Sequence, residues 1–545
     1  MLVYKLNIRK QLILFIAILL TIINSTSAAD SLSIKKLELV ARTWGFVVFK
    51  TEKKISNPDK ELIKLIQSSL KDKSLINYRD EIEHWVNKNL KIQNDSNCVC
   101  FNYTLPESLS WTTDTSLLGQ SLAKTLAKAA IQCNKKNNPQ YKLNGPIPIF
   151  YNGKSNKDLS FPDLSHRLLA CIKYWNIVNY FYSYPQNCVP NWSISLTQLL
   201  KSFIEVSNYK DYYFSLLRMS HNLNDGHARI YSEWASDSLF TYQVPFETEV
   251  YEDYAIVTFI DSTSKCDIRK GDKIIEINHE KINKKLSDWS TLLSTSTRGW
   301  FLHTIRNYLF ASADSSMNFT ILRNSDTAHI NVFLTPNRLR SQITENAVYT
   351  MTQDSIGYIN IGNLQLHHLD AIKSQLQNAK VIIIDARNYP NSTMIGLSAW
   401  IVDAKRLFAR HARQNPTCLG KNNINDSSTT VFNDKKMYQG TILLLIDRST
   451  ISQGEFLVMD LMQSSNVITI GRPTAGANGV TSRFQLPGNI ECRITTSGIY
   501  FPDYSLLQQK GIQPSIDLSE SVELLTSDDI LSFSYHYARK IIIKK

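Results

Sequence analysis

The stretch Thr441–Gly479, TILLLIDRSTISQGEFLVMDLMQSSNVITIGRPTAGANG, constrains this chain more than any other. Ile442–Ile446 is a short, bounded apolar run, the form taken by a strand covered on both faces. The polar residues of DRSTIS come next, and then a helical pattern that puts Phe456, Met459, Leu461 and Met462 mostly on one side. A second apolar run, Val467–Ile470, ends at Gly471 and Pro473. The order is strand, tight turn, helix, strand. Ser452 stands where the strand turns into the helix, so its hydroxyl projects from the sheet edge. The first amides of the helix point at the same place and would stabilise a developing oxyanion. Glu455, three residues on, suits the first turn electrostatically. Taken singly, a serine before a helix is more often a plain N-cap than a nucleophile.

The text before position 30 is of another kind. Lys5, Arg9 and Lys10 precede the apolar run Leu12–Ile23, and Ser27-Ala28-Ala29 offers a small-residue cleavage site. That is the layout of a secretory signal peptide over residues 1–29. The run is short for a bilayer span, and no cysteine at the cleavage site marks a lipid anchor. Removing those three basic residues lowers the formal charge from +12 to +9. The remaining Lys and Arg are scattered and no nucleic-acid motif accompanies them. The basic balance therefore reads as solvated surface with some attraction to anionic envelopes, and nucleic acid is not an expected partner. Export to the periplasm or cell envelope permits disulfides among cysteines 98, 100, 133, 171, 188, 266, 418 and 492. Cys98-Val99-Cys100 is too close for a zinc knuckle and lacks a second ligand pair; either cysteine, or both, can bridge to Cys133. Cys171 and several others lie in apolar patterns and read as core. No metal or organic cofactor is expected, because no ligand cluster has usable spacing and no glycine loop would cradle a phosphate.

With 545 residues, 43% hydrophobic and 20% charged, the chain has material for about three domains. Ile34, Leu37, Val40, Trp44 and Val47 recur at helical intervals, and further helical stretches lie around Glu61–Leu70, Ile82–Leu90 and Leu117–Ala130. A helix opening at about Ser165 contains CIKYWNIVNYF, which overlays VARTWGFVVFK with Trp44 on Trp175 and Val47 on Val178. The expectation is a weak internal repeat of two helical hairpins beginning near Ser33 and Ser165, with coincidence the alternative. These segments make an N-terminal helical region, 30–160, and a helical lobe, 161–240. In 241–340 the strand Ala255–Ile260 is followed by CDIRKGDKIIEINHEKI, a turn at Gly271 feeding a strand whose Ile274, Ile275 and Ile277 face inward. A helical insert lies around Trp289–Ser312. The last unit, 345–535, holds strands Ile356–Ile361 and Val381–Ile384, a helix at about His367–Leu376 between them, and two further strands within 482–500. Strand, helix, strand implies right-handed crossovers and a mostly parallel sheet, hence an α/β domain.

TISQGE followed by GRPTAG resembles the T-A-S-A-x-E … G-x-x-T-x-G signature of the tricorn-like and C-terminal-processing serine peptidases, in order and spacing though not in every letter. The resemblance implies a ClpP/crotonase-like fold, Ser452 as nucleophile and the amide of Gln453 in the oxyanion hole. DARNYPNS stands where the family has D-L-R-G-N-x-G-G, whose backbone supplies the second oxyanion donor; Asn391-Ser392 replaces the Gly-Gly, and Asn391 takes that role. Glycine normally permits the close approach such a hole requires. Asp385 and Arg387 read as a buried pair that holds this loop. In LNDGH, Leu223, Asp225 and His227 match the L-x-D-x-H segment that carries the general base, with His221 a local decoy. RLLACIKYWNIVNYFYSYP resembles exported peptidases of this family from Bacteroidetes. Residues 255–281 resemble a PDZ domain, with Gly271-Asp272 matching and Asn278-His279 in place of Asn-Gly. Such a domain delivers or gates peptides by strand addition, and the plainer reading is a small β domain that covers the active-site edge. The tail matches E-x-x-G-x-x-P-D with Gly511 and Pro514, but Gln508 occupies the glutamate position and Ser515 the aspartate.

These departures decide the mechanism. The lysine-dependent branch carries its base about 25 residues after the serine; here that position is Ala477, which closes the route. Histidine chemistry remains, with His227 taking the serine proton and returning it to the leaving amine. Tricorn has a serine before the histidine and a carboxylate behind it, where this chain has Gly226 and Gln508. Gln508 can orient a neighbour but cannot stabilise an imidazolium by charge. The expectation is an exported serine peptidase acting on peptides or unfolded protein through Ser452, His227 and Gln508. The alternative is a catalytically weakened or inactive peptide- or ligand-binding protein on the same scaffold. An acyl-CoA enzyme of the related crotonase fold is disfavoured by the export signal.

Overall fold

Two almost wholly buried helices, 31–50 and Leu164–Phe181, form the axis of the N-terminal half. The structure, a computed structural model, describes residues 31–544 except 72, 93–98, 102–104, 135–137, 151–159, 262–263, 265, 338–346, 434–436 and 520–527. The expected signal segment and Cys98 lie outside the described residues. Both helices carry apolar residues all round, so they are core rather than surface helices. They cross where Gly45 meets Asn176: a Cβ at position 45 would lie 1.8 Å from the Asn176 Oδ1. The Asn176 amide instead donates to Ala41 O and Ile172 O, both at 2.9 Å.

The two helices start units of like design. The Trp44 indole donates to Pro58 O and the Trp175 indole to Trp192 O, each at 3.1 Å. Pro58 and Trp192 are the first residues of the next helices, Pro58–Ser69 and Trp192–Glu205. A third helix completes each unit, Leu75–Asn89 and Tyr209–His221. Both units contribute to one continuous core running from Ile34 to Ala235, without a break in packing near 160. That core also takes in Phe484, Ile490, Cys492 and Ile494 from strands of the C-terminal domain.

Residues 244–334 have their own core. Strands Phe246–Val250, Ala255–Ile260, Lys273–Ile277, Ser316–Arg323 and Asp326–Phe333 form one antiparallel sheet, with the short Glu280–Lys281 paired to its middle. Two helices, Ile282–Trp289 and Arg298–Leu309, accompany it. Ile274 and Ile277 are buried, but Ile275 is only half-buried. The cause is a register shift opposite Thr320 and Ile321, which leaves Ile275 unpaired and returns Ile277 to the inner face. Asn278 and His279 both have positive φ, 51° and 64°, so histidine takes a turn position that favours glycine.

The C-terminal domain is α/β. Its main sheet runs, in spatial order, Tyr349–Met351, Ile356–Asn360, Val381–Asp385, Thr441–Ile446, Val467–Gly471 and Ile516–Asp517, and only its first pair is antiparallel. A second, antiparallel sheet is ordered Asn422–Thr429, Leu407–Gln414, Ile490–Tyr500 and Gly479–Leu486. Strand Arg229–Ser232, two residues beyond His227, pairs with Ile490–Arg493 of this sheet. The helical lobe is thus sewn into the C-terminal domain by backbone hydrogen bonds.

A disulfide joins Cys100 to Cys418 across 318 residues. Of the two cysteines expected to bridge to Cys133, this rules out Cys100, and Cys98 lies outside the described residues; Cys133 is itself disulfide-bonded, and its sulfur lies 3.7 Å from Cys100 Sγ and 3.8 Å from Cys418 Sγ. Spacing could not have found a partner so far along the chain. Cys171, Cys188 and Cys492 are buried free thiols. Among the described residues no helix is long and apolar enough to cross a membrane.

Candidate active site

Strand Thr441–Ile446 leaves the sheet into Asp447-Arg448-Ser449-Thr450, and helix Gln453–Leu461 begins immediately after Ser452. Ser452 has φ 58° and ψ −116°, a conformation an L-residue adopts only under constraint from its surroundings. Its amide donates to Ala477 O at 3.0 Å. Gln453, as the first helical residue, has an amide with no intrahelical acceptor, which leaves it pointing out of the helix start.

Glu455 is the hub of this half. It is fully buried. One carboxylate oxygen accepts from Thr474 Oγ1 at 2.5 Å and Gly476 N at 2.7 Å, the other from Ala477 N at 3.1 Å and Ser452 N at 3.3 Å. Burial pushes its carboxyl up to about 7 against the pull of those four donors. Thr474 in turn accepts from Ile512 N at 2.8 Å. One side chain therefore holds the serine turn, the GRPTAGANG loop and the tail together. The sequence pattern placed Glu455 at the helix start but gave no sign of these partners. The same helix differs from expectation in its packing: Leu457, Val458, Met459 and Leu461 are buried, while Phe456 is half-buried and Met462 exposed. Residues on nearly every side are covered, so a single apolar stripe was the wrong template.

The loop after strand Val381–Asp385 lies alongside. Pro390 Cδ is 3.8 Å from where a Cβ on Gly454 would stand. The Asn391 side chain donates to Gly362 O at 3.0 Å and Leu364 O at 2.9 Å, which pins the loop and leaves its backbone near the helix start. Arg387 makes paired hydrogen bonds to Asp385, at 2.8 and 2.7 Å, and to Asp528, at 2.7 and 2.6 Å. This is the buried pair expected to hold the loop, with a second carboxylate added from the C-terminal segment.

The histidine half is built from distant pieces. After helix Tyr209–His221 the chain turns through Asn224 (φ 49°). Tyr182 fixes this turn by donating to Leu223 O at 3.1 Å. The His227 amide donates to Asp225 Oδ1 at 2.9 Å, and the ring Nδ1 lies 3.5 Å from Thr495 Oγ1. His227 is 5% exposed. Burial lowers its pKa to about 4; Asp225 raises it, whereas Arg493 and Arg229 lower it. Gln508 accepts from Asn478 N at 3.3 Å and donates to Asp225 Oδ1 at 3.0 Å. His221, the decoy, bonds Leu293 O instead.

The two halves meet through Ala477. Ser452 N donates to its carbonyl, and its Cβ is 2.8 Å from the place of a Cβ on Gly226, the neighbour of His227. Trp300 Nε1 and Ser296 Oγ crowd the same place at 2.8 and 2.9 Å, so position 226 has no room for the serine that tricorn carries. Ser452 and His227 are thus neighbours at one remove, and among the described residues no hydrogen bond joins the hydroxyl to the ring. Segment 294–300 clasps both sides: Ser294 bonds Asp225, Ser296 donates to Ala475 O at 2.6 Å, and Trp300 donates to Gly226 O at 3.3 Å. Sequence reasoning missed these residues. The only signal was a helical insert longer than its β domain needs.

A cleft of about 810 Å³ opens between the 244–334 domain and the carboxyl ends of the main-sheet strands, lined among others by Glu249, Trp300, Tyr389, Arg448 and Ile451. Ligands of parallel α/β sheets bind at this edge. Neither Ser452 nor His227 forms its wall, but Ile451 does. Arg448 ties its two sides by donating to Val250 O and Glu249, both at 2.9 Å.

Residues 355–518 match the model of peptidase family S41. The match falls wholly within the C-terminal domain, which is thus the part of the chain that is similar to this peptidase family. No curated protein matches the chain. Among solved structures, mature CPAF complexed with lactacystin superposes with a TM-score of 0.55 at 14% identity, covering 70% of this chain and 98% of that one. Mature CPAF alone gives 0.55 at 13%, covering 70% and 96%. A putative peptidase from Parabacteroides merdae gives 0.42 at 13%, covering 69% and 97%. The likeness to CPAF extends the shared fold beyond the matched domain.

Proposed function

We propose that this chain is an exported peptidase that cleaves peptides or unfolded protein with Ser452 as nucleophile and His227 as general base. The observation that supports this most is the constrained backbone of Ser452 at a helix start, joined through Ala477 to the turn that carries His227. In this reading neutral His227, whose lowered pKa keeps it unprotonated at neutral pH, takes the hydroxyl proton as Ser452 attacks the scissile carbonyl. The amides of Gln453 and of Asn391 receive the oxyanion. The proton then passes to the leaving amine. The ring and hydroxyl close to hydrogen-bond distance when substrate fills the cleft, as catalytic contacts commonly tighten on binding. The 244–334 domain, read as PDZ-like, presents the substrate strand.

The test is labelling by a fluorophosphonate probe together with hydrolysis of an unfolded protein. Wild type reacts, and Ser452→Ala and His227→Ala each lose both activities; unlabelled, folded wild type would overturn the reading. Export is checked separately, by whether the mature N-terminus in the envelope fraction starts near residue 30.

A further inference from the structure

Gln508 stands where the family resemblance calls for a carboxylate, and its side chain has a fixed sense. Asn478 N can only donate, so Gln508 Oε1 faces it and Nε2 faces Asp225. Asp225 is fully buried. Its Oδ1 already receives two donors, the Gln508 side-chain amide and the His227 backbone N–H. Its Oδ2 is buried with no hydrogen-bond partner among the described residues. A buried carboxylate oxygen left unpaired is costly unless a positive charge arrives to meet it. The group two residues along that becomes positive during proton transfer is His227.

We propose that Asp225 is the negative partner that stabilises protonated His227, and that Gln508 is the positioning residue that holds this carboxylate by donating its amide to Oδ1. The inference rests on His227 acting as the base. Charge and amide have opposite places from a glutamate-backed histidine: the carboxylate sits on the histidine's own turn and the neutral amide comes from the tail. The other charged groups facing the ring are Arg229 and Arg493, which oppose its protonation. Tyr174, Tyr182, Tyr184 and Cys188 face Asp225 and are neutral there, pushed up by burial and by that carboxylate. Asp225 is thus the group that must offset two guanidiniums.

The experiment exchanges the two side chains and reads two quantities. Asp225→Asn lowers the rate of fluorophosphonate labelling on the order of ten-thousandfold, the scale seen when a histidine loses its carboxylate. It also moves the His227 titration, followed by NMR of isotope-labelled histidine and assigned with His227→Ala, to lower pH than in wild type. Asp225→Asn/Gln508→Glu puts the charge on the tail and lets the introduced asparagine NH2 donate to the introduced glutamate carboxylate, at the loss of the bond from the His227 backbone N–H. It recovers both the rate, to within about tenfold, and the titration. A structural role alone would not move the imidazole titration, and it would not be rescued by reversed polarity. Labelled wild type with an Asp225→Asn variant of equal rate and equal titration overturns the inference and leaves Ser452 and His227 standing. If Asp225→Asn does not fold, the double variant decides: failure of a folded double variant to label faster than His227→Ala overturns the inference. Labelling that survives in His227→Ala overturns the reading beneath it instead.

Discussion

The serine half and the histidine half of the site are built in opposite ways. Around Ser452 one contiguous stretch, 441–479, supplies the strand, the turn, the serine, the buried carboxylate and its four donors. Each oxygen of Glu455 has two partners. Around His227 the partners come from Thr495, Gln508, Ser294 and Trp300, separated by up to 283 residues, and one carboxylate oxygen is unpaired among the described residues. A fully satisfied cluster is rigid before substrate arrives; a cluster with an open valence is ready to change its charge. Under the proposed roles, the serine is held and the histidine is left able to respond.

The comparison breaks first at Glu455. Both its oxygens only accept, so Glu455→Gln, although nearly isosteric, turns an NH2 group toward at least one backbone N–H donor whichever way the amide is set. Fluorophosphonate labelling should fall on the order of a hundredfold, and stability by about 2 kcal/mol from the unmade buried hydrogen bonds. Retained labelling would mean the serine half does not depend on its hub. The Cys100–Cys418 disulfide tests a different dependence: Cys100→Ser/Cys418→Ser should cost about 2–4 kcal/mol in denaturant unfolding and leave labelling at low temperature near that of wild type. Gly226→Ala presses on the seam between the halves. Its Cβ would overlap Ala477, Trp300 and Ser296, so a loss of about 1–3 kcal/mol in stability is expected, with slower labelling; a silent change would show the seam is loose.

The smallest effect is a matter of pH. The Glu455 carboxyl is raised from 4.5 to about 7 in the folded chain. Between those values the native state binds more protons than the unfolded one, so this group's contribution to stability falls as pH rises through the window. The four-donor arrangement needs the ionised form, so labelling should rise as pH rises through about 7. His227, neutral above about 4, adds no limb there. Rate and stability moving in opposite directions across that interval, and Glu455→Gln abolishing both trends, would sharpen the contrast; parallel trends would remove it.

The same contrast explains what could be read in advance. Strand Thr441–Ile446, the turn at Ser452, strand Val467–Gly471 and the Asp385–Arg387 pair are local in sequence, and apolar runs with turn residues mark them directly. The α/β class came from these. Glu455 was seen as a helix-start charge because helical spacing says nothing of what a folded loop brings back to it. The Cys100–Cys418 bridge and the clasp by Ser294, Ser296 and Trp300 depend on tertiary approach alone. The bulge at Ile275 shows a milder failure: its pattern was apolar throughout, and only the register of the neighbouring strand decides which isoleucine turns away.

Pairing of Arg229–Ser232 with Ile490–Arg493 has a consequence for how such a chain can be divided. The backbone leaves one shared body at about residue 241, makes an excursion with a core of its own, and returns to that body near residue 348. The excursion can be exchanged only for one that keeps the clasp at 294–300 and the place of Leu292 in the host's core. A cut that frees the helices from the C-terminal domain would expose a bare strand edge and strip apolar side chains from both fragments. In modular terms the middle segment is a guest, and its host is the whole remainder of the polypeptide.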